Sequence, residues 1–451
     1  MEIIQHSQQR PIFLVRAFLL IVTAAAILCA TGFSAQAQPK GRIPGTVRIN
    51  WNGTFTQVIM EFNDSTHEEM WALYIEKLLA LFPTLEAHYD GWLATSMDRV
   101  TYHNRLEKLQ NLKPQVPKEY QDEIKGMASK FSGGTNNIQG DGKLSIDELY
   151  YLNLYIDIMM TGACSAISVF GPASVTGKNM IARLVDWYPR TDNAVITIKN
   201  RDKSIVIIGR LLSIMAGTAF NDNGVFAAIL AGGSSPPADF ESKAYHSVTI
   251  DIRYALENYS TLKEVAQYLS EKEYTFSHQI FLADSMTSKV LENNLIDGGI
   301  RWLRGADSQL GKGVEWESDN ALAAVNTFFL KENYRGGGVD PRWTNLRRQL
   351  VTKLRNSEKG EVDKVTLNEL EEIATYYDKS QHDAYPGSTI GDIYNSSTQH
   401  IVLLEPDTFH LEVFFRNNSA SPDKKATFIT VPISFQGLHK ASKKIRPATV
   451  P

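Results

Sequence analysis

The chain has 451 residues, 43% of them hydrophobic and 10% aromatic, which is enough to build a substantial core and excludes disorder over most of its length. Its formal net charge of -4 leaves no basic footprint, so nucleic acid is not an expected partner. There are two cysteines, Cys29 and Cys164.

Arg10 and Arg16 precede an apolar run over 17–32, and Ala35-Gln36-Ala37 follows with the small residues that signal peptidase takes. The run is shorter than the ~20 residues a bilayer needs. This reads as a signal peptide over 1–37 and an exported mature chain, periplasmic or secreted, or lysosomal in a eukaryote. The mature chain then carries a single thiol, Cys164, with no partner of its own.

In chain order, 47–62 alternates and suggests one or two strands around Asn52-Gly53. Apolar residues recur at helical spacing over 68–82, a second helical region runs through 85–108, and a third covers 120–131. The stretch 137–148 matches part of a calcium loop, with Asn137 first, Asp141 fifth, Gly142 sixth and Glu148 twelfth. It lacks carboxylates at its first and third positions, so it reads as a helix start, with Ser145 and Glu148 forming a capping box. A helix over 145–160 leads to Cys164.

From there strands dominate: 164–170, 180–186, 194–198, 204–208, 224–231, 280–283, 290–293, 321–325, 401–405 and 410–415. Helices are expected at 248–258, 262–270, 345–354 and 366–376. Strands with helical insertions argue for an α/β or α+β layered domain. Folding 164–186 as a hairpin about Ser174 sets Cys164 opposite about residue 184 and brings Arg183 and Asp186 beside the thiol. A guanidinium next to a thiol favours the nucleophilic thiolate. No cysteine–histidine motif supplies a base, and His278 lies in an apolar context that suits a core residue. A cut between Ala163 and Cys164 would expose an α-amine of pKa ~7.7–8.0, suited to proton transfer near neutrality.

An ordered set of motifs resembles the cysteine N-terminal-nucleophile hydrolases of the choloylglycine-hydrolase type, in the branch holding acid ceramidase, N-acylethanolamine acid amidase and the penicillin acyltransferases. The set comprises 122–128, 144–153, Cys164-Ser165, Arg183-Leu184-Val185-Asp186-Trp187, Asn221-Asp222-Asn223-Gly224-Val225, Val325-Asn326, Thr344-Asn345-Leu346-Arg347 and 398–405. The resemblance implies a four-layer αββα sandwich with an N-terminal, mostly helical pro-segment. It also implies self-cleavage before Cys164 into an α subunit of 38–163 and a β subunit of 164–451 that stay together as a heterodimer. Cys164 would attack a linear amide and form a thioester, Arg183 and Asp186 would orient it, Asn326 would donate to the oxyanion and Arg347 would brace the site. Trp187, Tyr188 and Asn221 would touch substrate. Leu230-Ala231-Gly232-Gly233 stands where bile-salt-hydrolase relatives carry a second asparagine, which leaves a backbone N–H of Ala231 or Gly232 for the oxyanion hole. The implied substrate is a small N-acyl amide, with a lipid-derived acyl group among the options, and no cofactor is implied. Other readings are transfer of the acyl group to an amine, phospholipase-B-like ester hydrolysis, and a non-enzymatic calcium-stabilised binding protein.

Overall fold

In the computed structural model, side-chain alternation sorts the strands into two stacked sheets. The described residues are 42–159, 162–187, 191–232, 243–295, 300–336, 338–355, 363–377, 391–416 and 426–435. The expected signal segment, Tyr188 and the tail from 436 lie outside them.

The segment before Cys164 opens with a hairpin, β1 (Thr46–Trp51) and β2 (Thr56–Glu61), turning at Asn52-Gly53. Helix α1 (His67–Leu81) begins at a capping box between Thr66 and Glu69 and buries Met70, Trp71, Tyr74, Ile75 and Leu78, one stripe at helical spacing. Each such side chain contributes about 1.5–3 kcal/mol on burial. The expected single helical region at 85–108 is two helices, α2 (Leu85–Ser96) and α3 (Arg99–Lys108). The Asp98 side chain accepts from Thr101 N and starts the second. Then come α4 (Lys118–Ala128) and α5 (Ile146–Met159). Glu148 Oε2 accepts from Ser145 N at 2.7 Å while Ser145 Oγ accepts from Glu148 N at 3.1 Å, so the capping box is formed.

The later strands are β3 (Ala163–Val169), β4 (Met180–Asp186), β5 (Asn193–Asn200), β6 (Lys203–Arg210), β7 (Thr218–Asn221), β8 (Phe226–Ala231), β9 (His278–Ala283), β10 (Ser288–Asn293), β11 (Arg301–Arg304), β12 (Ala321–Ala324), β13 (Thr398–Glu405), β14 (His410–Phe415) and β15 (Ile429–Val431). Between them lie α6 (Val248–Asn258), α7 (Leu262–Ser270), α8 (Pro341–Arg355) and α9 (Leu367–Ala374). The short strands β7, β11 and β15 have no counterpart in the sequence reading, because three or four residues carry little periodicity of their own.

The larger sheet has the order β1-β2-β5-β6-β7-β8-β9-β10-β11 and the smaller β12-β3-β4-β13-β14-β15. Three cores separate the layers. Helices α1–α7 pack on the outer face of the larger sheet. Cys164, Ala166, Ile181, Val402 and Leu404 lie between the sheets. Ile167, Val169, Ala182, Leu184 and Leu403 face Trp343, Leu346 and Leu370 of α8 and α9. This is the four-layer αββα sandwich expected. The part before Cys164 is not helical throughout, since β2 pairs in parallel with β5 and so belongs to the larger sheet.

Two buried groups tie that part to the rest. The Glu123 carboxylate takes both terminal nitrogens of Arg253, at 2.6 and 2.7 Å, with neither side chain exposed. Asp157, near the end of α5, accepts from Ser247 Oγ at 2.6 Å and from Val248 N at 2.9 Å at the start of α6. Burial nonetheless raises its carboxyl from 3.8 to about 7. Between those values the folded chain holds a proton that the unfolded chain releases, so this group's contribution to stability falls as pH rises through the window. We expect Asp157→Asn to lose that dependence. Urea midpoints measured at about pH 4.5 and about pH 7.5 should differ by less in the variant than in the wild type.

Candidate active site

The site forms where β3 starts, at the edge of the inter-sheet cavity. The hairpin register differs by one residue from the expected one. Cys164 lies opposite Val185, and Ala163 opposite Asp186. The difference decides chemistry, because a one-residue slip sends every side chain to the other face. In the expected register Cys164 would share a face with Leu184, and Arg183 would point away. In the observed one Cys164, Val185 and Arg183 share the inner face, and Arg183 reaches diagonally across the pair. Its Nη2 lies 3.0 Å from Cys164 Sγ. Arg183 also donates to the carbonyls of Ser165, Leu184 and Ile229, which lock the buried guanidinium in place.

Asp186 faces the other way, toward α8. Thr398 Oγ1 donates to its Oδ1 at 2.7 Å and Arg342 Nη1 lies 3.3 Å from its Oδ2. Burial pushes this carboxyl up, and Arg342 and the Thr398 hydroxyl pull against that shift. Asn326 follows β12 and holds the backbone around the thiol. Its Oδ1 accepts from Cys164 N at 2.7 Å, and its Nδ2 donates to Ala231 O at 2.7 Å and to Gly162 O at 3.2 Å. Gly162 has φ +149, and a Cβ built there would meet Trp187 at 3.2 Å, so the step from α5 into β3 calls for glycine.

Four of the five expected catalytic residues therefore converge: Cys164, Arg183, Asp186 and Asn326. Arg347 does not. It forms ion pairs with Glu315 and Glu317. Its place is taken by Arg342, which donates to Cys164 O at 3.3 Å and to Asn326 Oδ1 at 3.0 Å and is held by Asp340 at 2.8 Å. Helix α8 begins at Pro341, four residues before the expected start. Five residues along a helix turn the side chain by about 140°, so Arg342 and Arg347 cannot face the same site. The only sequence signal for Arg342 was Pro341 before it and Asp340 before that, a helix start rather than a motif.

Other expectations are corrected. Gly232 cannot give its N–H to an oxyanion, because it donates to Ser277 O at 2.9 Å. Ala231 contributes its carbonyl, the acceptor for Asn326. Asn221 does not touch the cavity. Its amide bonds Leu256 O and Tyr259 O, and its Oδ1 accepts from Asn223 N and Val225 N, which makes it the brace of the β7–β8 turn. Trp187 does line the cavity and packs edge-on against Tyr155. His278 is buried, with Nδ1 2.9 Å from Phe276 O, and desolvation lowers it to about 4.

In the 137–148 loop, Asn137 Oδ1 accepts from Ser145 Oγ and Asp141 Oδ1 accepts from Lys143 N. Glu148 is taken up by Ser145 N and the Tyr102 hydroxyl. Among the described residues no three His, Cys, Asp or Glu side chains are grouped to hold a metal ion.

The cavity is mostly apolar, with Ile156, Ile208, Met215, Ile229 and Phe276 in its walls beside Cys164 and Arg183. A lining of this kind suits a small ligand with an apolar part.

No family model and no curated protein matches this sequence. Among solved structures, the chain is similar to a Caenorhabditis elegans ortholog of N-acylethanolamine-hydrolyzing acid amidase, at 14% identity over 60% of this chain and 100% of that one, with a TM-score of 0.39. It is also similar to a mutant conjugated bile acid hydrolase of Clostridium perfringens, at 14% identity over 60% of this chain and 97% of that one, TM-score 0.36. A penicillin V acylase from Agrobacterium tumefaciens is a third, at 14% identity over 56% and 83%, TM-score 0.31.

The geometry separates the two arginines of α8. Arg342→Ala should lower turnover at this site by about 10²-fold or more, the scale of a lost site donor. Arg347→Ala should stay within about twofold. Steady-state kinetics on both variants checks the assignment, and equal losses would reverse it.

Proposed function

We propose that this protein is an exported, self-processing amidase of the cysteine N-terminal-nucleophile type, acting on small N-acyl amides. The observation that carries the reading is the double hold on residue 164. Arg183 donates to its sulfur at 3.0 Å while Asn326 accepts from its nitrogen at 2.7 Å, at the mouth of an apolar cavity. Sulfur and nitrogen of one residue are thus positioned as nucleophile and proton carrier once the preceding peptide bond is gone.

In the first step the thiol sulfur attacks the Ala163 carbonyl carbon, the C–N bond to Cys164 breaks, and the nitrogen takes a proton to become the α-amine. Water then hydrolyses the Ala163 thioester, leaving a carboxylate and the free thiol. The same sequence runs on substrate. Sulfur attacks the amide carbonyl, the α-amine relays the thiol proton to the departing amine, and water releases the acid from the acyl-enzyme. The cut also changes Asn326. In the intact chain its Nδ2 serves Gly162 O and Ala231 O. Departure of residues 162–163 frees one N–H for the tetrahedral oxyanion. Arg342 and Asp186 hold the carbonyl of Cys164 and the end of β4 in register. After cleavage the segments before and after 164 stay associated through their shared sheet and buried contacts.

Wild-type protein should run as two bands on a denaturing gel, the larger beginning at Cys164, and Cys164→Ala should run as one band without turnover. Gly162→Ala should slow processing, because a side chain there meets both an unfavourable φ and the Trp187 ring. N-terminal sequencing of an active preparation decides: an active sample with residue 164 still joined to Ala163 sinks the mechanism.

A further inference from the structure

Arg210 closes β6 and lies in the wall of the same cavity. It is 4% exposed. One terminal nitrogen, Nη2, donates to Leu152 O, and the guanidinium carbon sits 4.6 Å over the Tyr155 ring. Its Nε and Nη1 have no hydrogen-bond partner and are closed to solvent. Among the described residues no carboxylate is paired with it. A buried guanidinium in this condition is costly, and an unmet N–H in an apolar wall needs an explanation. Arg210 lines the cavity, so a ligand held there is a group that can bring the guanidinium an acceptor.

A second buried side chain in the wall has the same character. His400, on β13, is 4% exposed, and neither of its ring nitrogens has a partner. Desolvation, helped by Arg183, lowers it to about 3, so it is a neutral imidazole with one N–H to give. His400 shares a row with Val185 and Cys164, two strand spacings or about 10 Å across the smaller sheet from the thiol's strand. Arg210 belongs to the larger sheet. Strand β6 lies two spacings, again about 10 Å, from β8, whose Ile229 carbonyl receives Arg183. His400 thus stands off from the reacting sulfur by a distance that an extended acyl chain can bridge, and Arg210 lines the same cavity from the facing sheet.

We propose that the cavity takes an acyl group with an apolar body and a carboxylate at its far end, and that Arg210 binds that carboxylate. The guanidinium presents a planar pair of N–H donors, the geometry that matches a carboxylate. The proposal names the substrate class of the amidase reading and depends on that reading for turnover, but not for binding.

The test compares decanoic anilide with the monoanilide of sebacic acid, which differs only in the terminal carboxylate. Affinity is measured by calorimetry on the full-length Cys164→Ala chain, and kcat/KM on the wild type. We expect the sebacic monoanilide to be favoured about tenfold or more in both, the scale of a hydrogen bond to a charged group. Arg210→Met should abolish the preference and Arg210→Lys should keep part of it, which a purely structural role would not produce. Equal or tighter binding of decanoic anilide to Cys164→Ala, or no binding of either compound, overturns the proposal even if Arg210→Met fails to fold. A carboxylate preference in binding without turnover by the wild type would leave Arg210 its role and remove the amidase reading.

Discussion

The pairing register of β3 on β4 is the constraint on which the site depends. With Cys164 opposite Val185, the even-numbered residues of β3 and the odd-numbered residues of β4 face the larger sheet, so thiol and guanidinium meet on one surface. This register sorts the two faces of the hairpin. It is enforced by what each face buries: Ile181, Val402 and Leu404 inward, and Ala182, Leu184 and Leu403 against α8 and α9. Slipping the strand by one residue would turn Arg183 toward the layer beneath the helices and away from the thiol. Hydrophobic sorting thus sets the register, and the register sets the chemistry.

The same sorting divides the polar groups. On the inner side, Arg183 anchors the sulfur at the rim of an apolar cavity. On the outer side, Asp186, Arg342, Asp340 and Thr398 form a hydrogen-bonded cluster that grips the backbone of residue 164 and the amide of Asn326. Burying such charges is expensive, and they persist because each is met by a partner at hydrogen-bond distance. The outcome is a cysteine whose side chain and main chain are held from opposite faces of one sheet. Positioning of this kind is what converts an ordinary thiol into a group directed at one bond.

The part of the chain before Cys164 is built into the rest rather than laid against it. Strand β2 extends the larger sheet beside β5, Glu123 clasps Arg253 out of solvent, and Asp157 closes the start of α6. Tyr155 and Ile156 of α5 are themselves cavity walls. The segment that precedes Cys164 thus helps to shape the cavity beside it.

Much of this was legible along the chain. Helices α6 and α7 and strand β4 carry their bounds in periodicity and punctuation, and the Ser145–Glu148 capping box is a local device that needs no tertiary partner. The proximity of Arg183 and Asp186 to Cys164 follows from a short hairpin, whereas Asn326 was named only through the motif resemblance. Other features depended on distant chain. The face that Arg183 occupies is chosen by burial of two separate cores, a sum over residues far apart in sequence. Arg342 rather than Arg347 enters the site because α8 begins at Pro341 and packs through Trp343 and Leu346, a rotation that no motif encodes. Asn221 looked functional from its turn, yet its amide is consumed by the end of α6, a contact between elements that folding alone brings together. Local propensity and spacing settle what the chain forms over a few residues. Which side chains then meet is settled by competition for burial among all the layers at once, and that competition has no local signature.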